Sequence, residues 1–417
     1  MLKLETIGNT VVCLVLSLSL AACGKKDDPE PPSVPCASSS SFYQLQSQLT
    51  SYSGNEQFAG LANRCLFAPN DALCSYNDFS LLADRLPDKK IEVADIMNYT
   101  VATHQWMSDR FRTLLESYPD ELLQMFKHVT AIVISSDARP SHYWIKHGAI
   151  VLDPYTISLN ALEDGTITKL PDCRSNNFRE NTLDFVSYGL EFNIADKFVG
   201  TEERSLGLVG RNMGKLLAHE LAHAMDFTLE LLQEPIEEGE KFIFQLYDEE
   251  ELLSKRLSES YPLSSPSLTS AANYFYGSED REASALALEG TSAEVIASEF
   301  AKEGAVNLYA YYNQFEDFAM LIEAHMGRKH FETAQALVVI EETQATGEDR
   351  SCATTNLIWG QKNRDLSEPL QIRTKAALAL AEDTVEQTTA LELNESLSGL
   401  STNPVVGASN FCEFLGL

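Results

Sequence analysis

The strongest constraint in this chain is one segment, Gly207 to Glu234. Its residues Leu208, Met213, Leu216, Leu217, Leu221, Ala224, Met225 and Leu232 recur at helical spacing and form a single apolar stripe. A stripe of that length must be covered, so the segment predicts a long helix at the centre of a fold rather than on its rim. The rest of the chain can supply the cover, since 44% of its 417 residues are hydrophobic and 22% charged. The charge is lopsided, with 31 Lys+Arg against 61 Asp+Glu and a formal net charge of −30. A nucleic-acid partner needs a basic footprint, so that class is set aside. Attraction to anionic lipid by charge is set aside with it.

The first residues read as an address. Lys3 precedes the apolar run Val11–Leu20, which is shorter than the roughly 20 residues of a spanning helix and matches a signal-peptide core. The order Leu20-Ala21-Ala22-Cys23 resembles the bacterial lipobox, which implies a signal peptide over 1–22 and a lipid on the thiol of Cys23. Ordinary signal cleavage, with Cys23 incidental, is the plainer alternative. Gly24 after the cysteine leans, in that pattern, toward the outer membrane. Residues 23–41 are polar and rich in Pro and Ser, and are expected to be a disordered tether. The expected location is therefore a bacterial cell envelope, with the body lipid-anchored and facing the periplasm or the exterior.

Cysteine usage fits export. With Cys13 and Cys23 set aside, Cys36, Cys65, Cys74, Cys173, Cys352 and Cys412 remain, an even number that an oxidising compartment allows to pair. Cys65 with Cys74 would clip a local loop, and Cys352 with Cys412 would pin the C-terminal region. No CxxC pair is present, which speaks against a cysteine zinc site.

Further along, residues 42–126 read as a helical region. Strands are expected at Ala131–Ser135 and Gly148–Leu152, joined through a Pro-containing turn into a small, partly antiparallel sheet. Residues 234–271 are first acid-rich and then Pro/Ser-rich, and read as an insertion. The acidic run 235–251 lacks the spacing of a calcium loop and reads as a solvated face. Helical patterning resumes from about 281 to 345 and again over Thr374–Leu393, while Trp359-Gly360 reads as a buried aromatic beside a turn. The expected class is α+β, mostly α, with a core over 127–330 and a helical C-terminal region over 331–417.

Within the long helix stands His219-Glu220-Leu221-Ala222-His223. Residues i and i+4 share a helix face about 6 Å apart, so both imidazoles can reach one ion. Two helical histidines at this spacing suit Zn²⁺, and Glu220, one position round, can act as a general base on a water that zinc has acidified. The plain alternative, a pair of solvated histidines, sits badly with Ala218, Ala222 and Ala224 opening space around them. A third ligand is required, and there are two candidates. Asp226 shares the face of His219 and His223, though one turn on it is better placed behind the ligands. Glu316 lies in the downstream segment Tyr309–Ala319 (YAYYNQFEDFA).

HELAHAMD followed by YAxxNxxEDFA is similar to the gluzincin metallopeptidases, in particular the group containing anthrax lethal factor. The resemblance implies a zincin-like core in which Glu316 is the third zinc ligand. It also implies that Tyr309, seven residues earlier, helps stabilise the developing oxyanion. Tyr311 and Tyr312 compete for that role, and a charged first helical turn is the alternative reading of Glu316 and Asp317. The segment around Arg139–Asp153 resembles the sheet edge along which such peptidases lay a substrate, and an ordinary core hairpin explains it equally well. His142 and His147 there read as structural, and Glu323 and His325 as surface residues. The function implied is zinc-dependent hydrolysis of peptide bonds in a peptide or protein substrate, with His219, His223 and Glu316 on the metal. Two other classes remain open: a zinc-binding lipoprotein without activity, and a zinc hydrolase acting on a cell-wall amide.

Overall fold

The computed structural model describes residues 47–69, 72–168, 181–193, 195–229, 252–277, 281–341, 355–381 and 400–417. The signal peptide, Cys23, the tether, the acidic run 235–251, Cys36, Cys173, Cys352 and the stretch 382–393 lie outside them. Among the described residues no helix is long and apolar enough to cross a membrane.

The class is α+β, with two four-stranded sheets among helices. The longer helices are α1 (Glu56–Leu66), α2 (Gln105–Leu115), α3 (Asp120–Met125), α4 (Leu206–Thr228) and α5 (Leu253–Ser260). They continue with α6 (Pro266–Tyr276), α7 (Ala293–Lys302), α8 (Gln314–His330) and α9 (Glu368–Leu380). The first sheet holds β1 (Thr100–Ala102), β2 (Ala131–Ile134), β3 (His142–Trp144) and β4 (Ala149–Leu152) in the order β1-β2-β4-β3. Strands β1, β2 and β4 run parallel and β3 pairs antiparallel with β4 at the edge. The sheet is small and partly antiparallel, as expected, but its antiparallel pair is β3 with β4. The segment between the two expected strands forms β3, and β2 and β4 lie side by side in parallel, every residue buried.

The second sheet, β5 (Phe185–Asn193), β6 (Thr333–Glu341), β7 (Asn356–Gln361) and β8 (Val405–Asn410), is antiparallel throughout. It overturns the helical reading of 333–341 and, at β7 and β8, that of the C-terminal region, while residues 342–345 lie outside the described ones. Eight of the nine residues of β6 are buried, so the alternation that would mark a half-exposed strand is missing. Trp359 is buried as expected, but within β7 rather than beside a turn. Residues 252–271 are not an appended insertion either. Leu253, Leu257, Leu268 and Ala271 are fully or almost fully buried. The Ser265-Pro266 pair that reads as loop is a helix start, with the Ser265 hydroxyl accepting from Leu268 N and Pro266 in the first turn of α6.

The largest core joins most of these elements, with Phe111, Phe126, Met213, Leu217, Phe318, Leu321, Val338, Trp359 and Leu378 in one cluster, while α1 packs on the other face of the first sheet in a separate one. The helix α4 starts on a Ser205 cap and packs along α8 at close range. A Cβ at Gly214 would lie 2.2 Å from the Phe331 ring, so only glycine permits that approach. Cys65 and Cys74 are bridged, as expected for a local clip, and Cys412 is also in a disulfide.

Candidate metal centre

The site is built where α4 lies along α8. His219 and His223 project from the middle of α4, and Glu316 from the first turn of α8. That turn is fixed by its own cap, since the Asn313 side chain accepts the Glu316 backbone N–H at 2.9 Å. His219 Nε2 lies 3.0 Å from Glu316 Oε2 and 3.1 Å from His223 Nε2, while His223 Nε2 is 3.4 Å from the same carboxylate oxygen. Three lone-pair donors from two helices therefore face one point. These three side chains form a group able to hold a metal ion, among the described residues the one such group.

The spacing tests which ion. Ligand atoms about 2.1 Å from a tetrahedral centre stand about 3.4 Å apart, and the three separations here run from 3.0 to 3.4 Å. A nitrogen–nitrogen–carboxylate set is also the chemistry that suits zinc. Burial alone would depress the His219 imidazole, but hydrogen bonds to Glu316 and Glu323 outweigh it and hold its pKa well above the ordinary value. Burial would raise the Glu316 carboxyl, but His223 and His219 pull it well below the usual carboxylate range.

Glu220 sits beside the triad, 5% exposed, with its Oε2 accepting the backbone N–H of Tyr143 at 2.6 Å. Burial raises its pKa against the opposing pull of His219 and His223. Since Tyr143 N–H points at Glu220, it points away from β4, so the outer edge of β3 faces α4 beside the triad.

Of the three tyrosines, Tyr309 reaches the triad, its hydroxyl donating to Glu316 Oε1 at 2.8 Å. Tyr311 is buried and donates to Glu303 Oε2 instead. Tyr312 stacks with Tyr309. Asp226 stands outside the group, buried, accepting the backbone N–H of Ser254 at 2.9 Å and so capping the start of α5, with burial pushing its pKa up to about 6. His142 faces the Pro140 carbonyl, and His147 is buried against Trp144 with its pKa lowered to about 3 by burial.

Compared with protein-family models, with curated proteins and with solved structures, the chain matches none. The chemistry of the site therefore rests on its own geometry.

One functional residue escapes the sequence reading. Glu323 is not a surface residue: its side chain is 13% exposed, and it accepts from His219 Nδ1 at 3.1 Å. It stands seven residues after Glu316, two turns along one face of α8, and that spacing was the available signal. Metal-ligating histidines are oriented by such a partner on the other ring nitrogen. His325, also expected at the surface, is buried at 4% exposure. Glu323→Gln is expected to weaken any metal binding at the triad about 10- to 100-fold with the fold intact. A competition titration against a chromophoric chelator checks this, and unchanged affinity would deny Glu323 the role.

Proposed function

We propose that this chain is a zinc-dependent metallopeptidase of gluzincin type, exported and held at a bacterial envelope by a lipid on Cys23. The observation that carries the reading is the convergence of His219, His223 and Glu316 at tetrahedral ligand spacing, with Glu220 alongside and the edge strand β3 next to it. Zinc held by these three residues would supply a Lewis acid that polarises a carbonyl and lowers the pKa of water.

The remaining steps belong to the chain. A substrate in extended form would lie along the edge strand β3, with the Tyr143 N–H kept on Glu220, and this sets its backbone beside the triad. Glu220 accepts the proton of the attacking water and hands it to the departing amine. Its burial and the Tyr143 N–H hold the carboxylate in one orientation for both transfers. The Tyr309 hydroxyl donates to Glu316 Oε1 at the triad, and from there it would turn to donate to the reacting carbonyl oxygen as charge develops.

The place of β3 at the end of its sheet favours a peptide over a cell-wall amide. The engagement of Asp226 with Ser254 leaves it off the triad, which disfavours a closed, purely structural zinc site.

The test is hydrolysis of an unfolded protein substrate by the purified chain. Cleavage that a chelator abolishes and one equivalent of zinc restores supports the reading. Zinc has to displace the proton on His219, so its affinity should fall about tenfold for each pH unit below that raised pKa. No cleavage by the zinc-loaded chain across a broad peptide library would overturn peptidase activity. No zinc binding would overturn the metal centre as well.

A further inference from the structure

We propose that Arg373, on α9 in the C-terminal part of the chain, is a positioning residue for Glu316. The inference rests on the metal-centre reading above and asks what holds its third ligand in place. Asp317 follows Glu316 in the first turn of α8 and is buried at 4% exposure. Arg373, 5% exposed, grips it with both arms: Nη1 donates to Asp317 Oδ1 at 2.8 Å and Nη2 to Oδ2. The fork is itself fixed. Its Nε donates to the Tyr261 carbonyl at 3.0 Å and its Nη1 also to the Gly304 carbonyl at 3.1 Å. A guanidinium held by two backbone carbonyls from separate segments is an anchored fork rather than a mobile counter-ion.

Each anchor leads to the metal centre. Asp317 and Glu316 share a peptide unit, so fixing one limits how far the other can turn about the helix axis. Gly304 opens the stretch that becomes the Leu308–Tyr311 turn, whose Tyr309 donates to Glu316 Oε1. That stretch has no slack against α9, since a Cβ at Gly304 would lie 2.4 Å from the Pro369 carbonyl oxygen. Tyr261 closes α5, and the other end of α5 is capped by Asp226 of α4, three residues beyond His223. Arg373 thus sits where α5, α8, α9 and the tyrosine turn are tied together.

Positioning and mere stabilisation are separable by measurement. A residue that only stabilises the fold changes the native fraction, and while that fraction stays near one, zinc affinity does not move. A positioning residue changes the affinity of the folded protein itself. The experiment measures zinc affinity by chelator competition, and thermal unfolding of the metal-free form, for the full chain and for Arg373→Gln, Arg373→Lys and Arg328→Gln. Arg328 is the control: on α8, at the end away from Glu316, it makes an equally buried two-armed pair with Asp365.

At a temperature where every metal-free protein is folded, Arg373→Gln should bind zinc about 10- to 100-fold more weakly than wild type. Arg373→Lys, which keeps the charge but not the fork, should recover part of that loss. Arg328→Gln should lower the unfolding temperature and leave affinity within about threefold of wild type. Affinity unchanged in Arg373→Gln, or reduced equally in Arg328→Gln, would overturn the proposal. If Arg373→Gln does not fold, Asp317→Asn, of the same shape, is read by the same criterion. Wild type that binds no zinc would overturn the metal centre instead.

Discussion

Glu220→Gln should leave zinc bound and cut turnover about a thousandfold. Glu220 is not one of the three facing donors, so the metal loses no ligand. Glutamine has the same shape, and its side-chain oxygen can still accept the Tyr143 N–H, so β3 stays in place. It cannot accept a proton from water, and general-base catalysis of this kind contributes about 10²- to 10⁴-fold. The check is kcat at saturating substrate beside zinc stoichiometry by mass spectrometry under native conditions. A variant that keeps its zinc and turns over within threefold of wild type would sink the assignment of Glu220. A variant that loses its zinc would show instead that the carboxylate belongs to the ligand set.

Glu316→Ala is expected to empty the centre. Two histidines four residues apart on one helix remain, but zinc needs a third protein ligand to hold in a site of this type. Replacing even an outer partner costs about 10- to 100-fold in affinity, and a direct ligand should cost at least the upper figure. The substitution also strips the Tyr309 hydroxyl of its acceptor and His219 of a hydrogen-bond partner. Purified wild type should then carry about one zinc per chain and the variant only a trace, with activity falling in proportion. Full zinc content in Glu316→Ala would move the third ligand elsewhere, with Asp226 the first place to look.

The ligand set was legible because it is local. His219, Glu220 and His223 sit on one strongly periodic helix, and Glu316 with Tyr309 sits on one short downstream segment, so spacing along the chain stands in for spacing in space. Glu323 was missed although its spacing is equally regular, because a carboxylate on a helix is so often solvated. The fold was legible only in part. The parallel strands β2 and β4 announce themselves as short β-branched runs, but nothing local tells that they pair in parallel. The sheet β5–β8 is assembled from strands as far apart as 185–193 and 333–341, and β6 follows α8 after Phe331 and Glu332 alone. Its apolar run Ala336–Ile340 looks like more of the helix before it. The clamp of Arg373 on Asp317 joins residues 56 apart, and no pattern in the sequence joins them.

The nine-residue pairing of β5 with β6 also dictates an order of events. Strand β5 leads into the helix of the histidines, and β6 leads out of the helix of Glu316. The two halves of the centre, 97 residues apart along the chain between His219 and Glu316, are therefore stapled by the same long closure that makes the sheet. A newborn chain, emerging N-terminus first, carries His219, Glu220 and His223 while Glu316 has yet to be made. The blade is whole only once its handle has closed.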